Sequence, residues 1–113
     1  MVVLSVDGLF DAAIRIQLQE QSVSVTFTQE AITIKFPTTR RLAEFLQVPH
    51  YYILPYFAMM EQEELVTRAE RVGILTTAGG SRKMIALMEE KYPREIEEII
   101  GQTIFSEMVK RSR

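Results

Sequence analysis

The sequence predicts a single α+β domain over residues 1–113, and three observations predict it. Up to Phe36, apolar residues alternate with polar ones, the texture of half-buried strands. From Thr38 they recur every three or four residues, the texture of helices. Only short breaks separate these segments, so no stretch reads as a linker between two domains. The parts divide into a β-rich stretch over 1–36, a helical pair with a following hairpin over 37–92, and a C-terminal helix over 93–113.

Val23, Val25 and Phe27 alternate with Ser24, Thr26 and Thr28, and Ile32, Ile34 and Phe36 alternate with Thr33 and Lys35. Gln29-Glu30-Ala31 joins the two runs, and Pro37 ends the second, so 23–36 reads as a β-hairpin. Residues 9–20 fit two readings. Phe10, Ala13, Ile14 and Leu18 make a helical stripe; Phe10, Ala12, Ile14, Ile16 and Leu18 alternate as a strand, with Asp7-Gly8 as a hairpin turn. Local pattern leans to strand, whereas a three-helix core needs a helix here.

Thr38 or Thr39 can cap a helix carrying Leu42, Ala43, Phe45 and Leu46. Gln47-Val48-Pro49 is a short break, and a second helix places Ile53, Phe57, Met60 and Leu65 inward. Arg68 to Thr77, with Gly73 inside, reads as a short strand or hairpin. Ser81 is a candidate cap for a helix bearing Met84, Ile85 and Met88, and Tyr92-Pro93 breaks it. The last helix, about 94 to 110, carries Ile96, Ile100, Ile104 and Met108 at four-residue spacing. Its acids come first and its bases last, matching the helix dipole.

Composition excludes several function classes. At 47% hydrophobic and 25% charged, the chain has a globular rather than a disordered balance. It has no cysteine, which removes disulfides, thiolate metal sites and cysteine nucleophiles. His50 is the single histidine, so one chain cannot form a histidine pair for a metal. A Ser-His-Asp triad could assemble only around His50, and no serine stands in a G-x-S-x-G elbow. Thr77-Ala78-Gly79-Gly80-Ser81-Arg82-Lys83 lacks P-loop spacing and reads as a turn that starts a helix. No catalytic residue, metal or cofactor is expected, and the chain is not read as an enzyme. No apolar run approaches the ~18 residues of a membrane span. The start, Met1 to Val6, is cut short by Asp7 and has no basic leader. The expectation is a cytoplasmic protein without membrane contact.

Helix, short turn, helix, strand, loop, strand is the layout of a winged helix-turn-helix, here with an N-terminal β-hairpin and C-terminal helices. Phe36 to Thr77 resembles the bacterial winged-helix regulators, and within them the DNA-binding domain of the GntR family. That family runs L-P-S-E-R-x-L-A-x-x-L-G-V-S-R-x-T-V-x-x-A-L-x-x-L-x-x-x-G-L-[IV], followed by a glycine-bearing wing. The matching residues are Phe36-Pro37-Thr38-Thr39-Arg40, Leu42-Ala43, Leu46-Gln47-Val48-Pro49-His50, Ile53, Phe57, Met60, Leu65-Val66 and the stretch Gly73-Ile74-Leu75-Thr76.

The resemblance implies a homodimeric regulator of transcription on double-stranded DNA, paired through the C-terminal helix. Arg40 and its neighbour Arg41 would meet phosphate. His50, Tyr51 and Tyr52 would open the recognition helix, and Arg68, Arg71, Arg82 and Lys83 would lie at or near the wing. The departures fall on the site. Gln47 replaces the turn glycine, Pro49 the turn serine, and Leu54 and Pro55 stand where polar residues would read bases. That outward face offers no Arg, Asn or Gln for bidentate base contacts. A second expectation follows, from a different class: a protein-interaction module using Leu54, Pro55 and Tyr56. The net charge of −2 excludes a polybasic coat and leaves room for a local patch. Residues 37–88 hold the bases Arg40, Arg41, Arg68, Arg71, Arg82 and Lys83, with the acids gathered at 61–64.

Overall fold

The computed structural model describes residues 4–113, so the apolar start at Met1 to Val3 lies outside the described residues. The described elements run α1 (Val6–Glu20), β1 (Val25–Phe27), β2 (Ile32–Phe36), α2 (Thr39–Leu46), α3 (His50–Gln62), β3 (Val66–Ala69), β4 (Gly73–Thr76), α4 (Ala78–Lys91), α5 (Pro93–Ile100) and α6 (Gln102–Ser112). The strands form one antiparallel sheet in the order β1-β2-β4-β3. The fold is α+β.

The ambiguous segment is helix. Ser5 caps α1 by accepting the Gly8 N–H on its hydroxyl at 2.9 Å, which puts Asp7 and Gly8 in a first helical turn rather than a hairpin. Residues 1–36, expected as β-rich, therefore hold α1 as their longest described element. Leu9, Phe10, Ala12, Ala13, Ile14 and Ile16 are all buried, because α1 is packed by α2, α3, α4 and α5. Burial on so many sides broadens a helical stripe until it also satisfies an alternating pattern.

The hairpin forms as the alternation predicts. Val25 faces Ile34 and Phe27 faces Ile32, with Thr28 and Ala31 closing the turn. Phe36 at the end of β2 joins three elements. Its ring stands edge-on to Phe10 at 5.2 Å and to Phe57 at 6.5 Å.

Thr38 caps α2, accepting from the Arg41 N–H at 3.1 Å. Gln47 then takes the left-handed conformation, φ 58°, that glycine would occupy at least cost. The Val48 N–H returns to the Ala43 carbonyl and closes the turn. His50 begins α3, so Pro55 falls inside the helix rather than in its opening turn. Proline there has no N–H for the Tyr51 carbonyl and crowds it. Pro55→Ala is expected to raise stability by roughly 1–3 kcal/mol. An unchanged or lower thermal midpoint by circular dichroism would show that α3 carries no such strain.

Three expectations need correction downstream. Ser81 is not a cap. Thr77 caps α4 by accepting from the Gly80 N–H at 3.1 Å, and Ser81 lies buried within the helix. The hairpin lies where it was expected, with β4 ending at Thr76, but Arg82 and Lys83, expected at or near the wing, belong to α4. The single C-terminal helix is two helices, broken at Gly101 with φ 88°. The break turns the expected stripe. Ile96 and Met108 are buried with Phe105, whereas Ile104 faces solvent. Tyr92, before Pro93, donates its hydroxyl to Asp11 at 2.8 Å and ties the α4–α5 junction to α1. Burial, and then this bond, raise its phenol pKa above the ordinary value.

Candidate functional site

The exposed apolar side chains concentrate on α3. Ile53, Phe57 and Met60 face the core. The opposite face presents Tyr51 at 64% exposure, Tyr52 at 49%, Met59 at 46% and Leu54 at 41%, with Pro55 and Ala58 between them. Such a face is expensive to leave in water and marks a contact surface. The two tyrosine rings stand perpendicular with centroids 4.8 Å apart. The neighbouring Tyr52 phenol raises the Tyr51 pKa above its ordinary value.

Two contacts fix what flanks this face. His50 Nε2 and Thr39 Oγ1 are 2.7 Å apart, pinning the start of α3 to the start of α2. Arg68 of β3 lies over the Phe57 ring at 5.2 Å and reaches Glu61 at 3.4 Å, holding the β3–β4 hairpin against the second half of α3.

The basic residues divide into two groups. Arg41 is half-buried and paired with Glu20 at 3.3 Å and Glu44 at 3.6 Å. Arg68 is engaged by Glu61, and Lys83 by Asp7. Lys83 also lies 5.8 Å from the Phe10 ring centroid, so it turns toward α1 and away from the hairpin. Arg82 sits on α4, lining a shallow cleft with Glu61, Glu63 and Glu64. Both, expected at or near the wing, lie on α4 beyond the hairpin. Arg40, in the first turn of α2, Arg71, at the hairpin tip, and Arg82 are exposed and make no ion pair among the described residues.

The structure places Arg40 in the first turn of α2, His50, Tyr51 and Tyr52 at the start of α3, Arg68 on β3 and Arg71 in the turn that follows it, with His50 held by Thr39. Of the expected interaction patch, Leu54 and Pro55 point outward, while Tyr56 is half-buried against the core. Met59 and Val72 belong to the exposed surface and were not singled out from the sequence. Met59 was legible in principle, because it stands four residues after Pro55 and eight after Tyr51.

Chemically, the outward face of α3 offers phenol hydroxyls and flat apolar area, and Arg40, Arg71 and Arg82 offer guanidinium groups without an ion pair among the described residues. Among the described residues, no group of three or more His, Asp or Glu is placed to hold a metal ion. No helix among them is long and apolar enough to cross a membrane. In comparisons with known proteins, no family model and no curated protein sequence matches the chain.

Proposed function

We propose that this is a winged-helix protein that binds double-stranded DNA through α3 and the β3–β4 hairpin, acting in the cytoplasm as a homodimeric regulator of transcription, without catalysis. The order α1-β2-α2-α3-β3-β4 and the strand order β2-β4-β3 support the winged-helix reading. One observation carries the DNA reading: the outward face of α3 is open, and the elements on either side of it in the chain each carry an exposed arginine without an ion pair among the described residues, Arg40 on α2 and Arg71 in the β3–β4 turn. Tyr51 and Tyr52 would enter the major groove, giving hydroxyl and apolar contacts rather than bidentate base recognition.

The internal ion pairs set the expected strength. With Arg41, Arg68 and Lys83 already paired, and Arg82 beside the acids at 61–64, Arg40 and Arg71 remain and roughly two phosphates per copy are neutralised. Log affinity should then fall against log salt with a slope near −2 for one copy and −4 for a dimer. Arg40→Ala should weaken binding to all duplexes alike and flatten the dimer slope by about 2. Fluorescence anisotropy over a salt series measures both quantities. Absence of binding at low salt by the folded protein would sink the reading.

The apolar character of α3 favours a second reading, a winged helix docking protein through Tyr51, Leu54, Pro55 and Met59. The same titration separates the two. A protein-docking face leaves duplex DNA unbound at every salt concentration.

A further inference from the structure

We infer that β1 is a self-pairing edge, and that two copies of this chain join through antiparallel β1–β1 contact into one continuous sheet. The inference stands apart from the DNA reading and moves the dimer seam away from the C-terminal helix. The apolar stripe of that helix is largely spent inside the chain: Ile96, Phe105 and Met108 are buried.

The backbone of β1 carries the argument. Thr28 donates its N–H to Ala31, and Ser24 accepts from the Lys35 N–H at 2.9 Å. Hydrogen-bonded pairs alternate in an antiparallel ladder, so Ser24, Thr26 and Thr28 turn their backbone groups toward β2. The N–H and C=O groups of Val23, Val25 and Phe27 therefore point out of the sheet. β1 is the outermost strand, and no strand among the described residues covers it.

Within the strand this edge carries no charge; the one beside it is Arg111 of α6, which lies 5.4 Å from the Phe27 ring centroid and donates to the Thr28 carbonyl at the far end. Edge strands are ordinarily protected by lysine, other charges or proline. Ser22-Val23-Ser24-Val25-Thr26-Phe27-Thr28 contains none of these. The opposite edge, β3, carries Arg68 and is followed by Glu70 and Arg71. The contrast between the two edges of one sheet marks β1 as the pairing edge.

A second copy is the occupant that fits. Two copies of the stretch 23–27, β1 with the two residues before it, related by a two-fold axis at Val25 would place Val25 opposite its own equivalent and Val23 opposite Phe27. These are the residues whose backbone groups point outward, so each pair exchanges both hydrogen bonds. Their half-exposed apolar side chains meet on one face, and Ser24 meets Thr26 on the other. The register therefore satisfies backbone and side chains together, with no charge within the strand to oppose it.

Sedimentation velocity of the full chain over a concentration series tests the seam, with a dimer expected. Val25→Pro removes an N–H that no bond within the chain uses, so the fold tolerates it while pairing does not. It should weaken association on the order of 100-fold. Thr26→Lys, at an exposed side chain, should separate the copies without touching the core. Ile104→Glu on α6 should leave association unchanged. Circular dichroism confirms folding of each variant, and Thr26→Lys decides alone where Val25→Pro unfolds. A monomer at every concentration overturns the inference. So does a dimer that Thr26→Lys leaves intact, or one that Ile104→Glu separates.

Discussion

Gly80→Ala is expected to cost at least ~3 kcal/mol of folding stability, whereas Gly79→Ala beside it should be neutral or stabilising by roughly 0.5–1 kcal/mol. Both glycines lie in the first turn of α4. A Cβ at Gly80 would stand 1.8 Å from the Leu65 carbonyl oxygen and 2.8 Å from its carbon. That carbonyl cannot easily retreat, because it accepts the Thr77 N–H at 3.0 Å and so fixes the start of α4 against the end of α3. A Cβ at Gly79 meets nothing closer than 3.8 Å. Helix propensity then acts alone and favours alanine. Denaturant melts of the two variants measure the difference. Equal midpoints would mean that α4 can shift away from Leu65 without loss.

Thr76→Val removes a single oxygen and should cost about 2–4 kcal/mol. The β2–β4 ladder pairs Lys35 with Leu75 and Phe36 with Ile74. Beyond it, side chains take over. The Ile34 N–H donates to Thr76 Oγ1 at 2.8 Å, Thr76 bonds Ser81 Oγ at 2.7 Å, and the Ser81 hydroxyl donates to the Ile32 carbonyl. Since the Ser81 proton goes to Ile32, Thr76 donates to Ser81, and the relay runs one way from N–H to carbonyl. Valine preserves the volume and leaves the Ile34 N–H unpaired in a dry site. Ser81→Ala should cost less, about 1–2 kcal/mol. The double variant should fall short of the sum, because the relay is already broken by either change. A strictly additive cycle in urea melts would show that the two hydroxyls act separately.

The N-terminal hairpin was legible because Val23, Val25 and Phe27 and then Ile32, Ile34 and Phe36 each show one face to the core. The α2–α3 pair was legible because its break is too short for anything but a tight turn. Other features depended on contacts that a local pattern does not contain. Thr77 rather than Ser81 caps α4, and the Ser81 hydroxyl is taken up instead by Thr76 and the distant Ile32 carbonyl. The four-residue spacing from Ile96 to Met108 runs straight through Gly101, and only its positive φ reveals the break. The site was half legible. The spacing of Tyr51, Leu54 and Pro55 placed them outward, yet the bases that should flank them look alike in the sequence. Glu20 and Asp7, on α1, neutralise Arg41 and Lys83 from distant parts of the chain, whereas Arg40, Arg71 and Arg82 stay exposed without an ion pair among the described residues.

The strand order β1-β2-β4-β3 has a consequence for stoichiometry. A sheet with two receptive edges could add copies without end, each new chain offering the next a fresh strand. In the β1–β1 pairing inferred above, the receptive edge would be used up when the first partner docks, and what remained outermost at both ends would be β3 with its charges. Such an assembly would be self-terminating: it would stop at two, and a third chain would find no place to begin a filament.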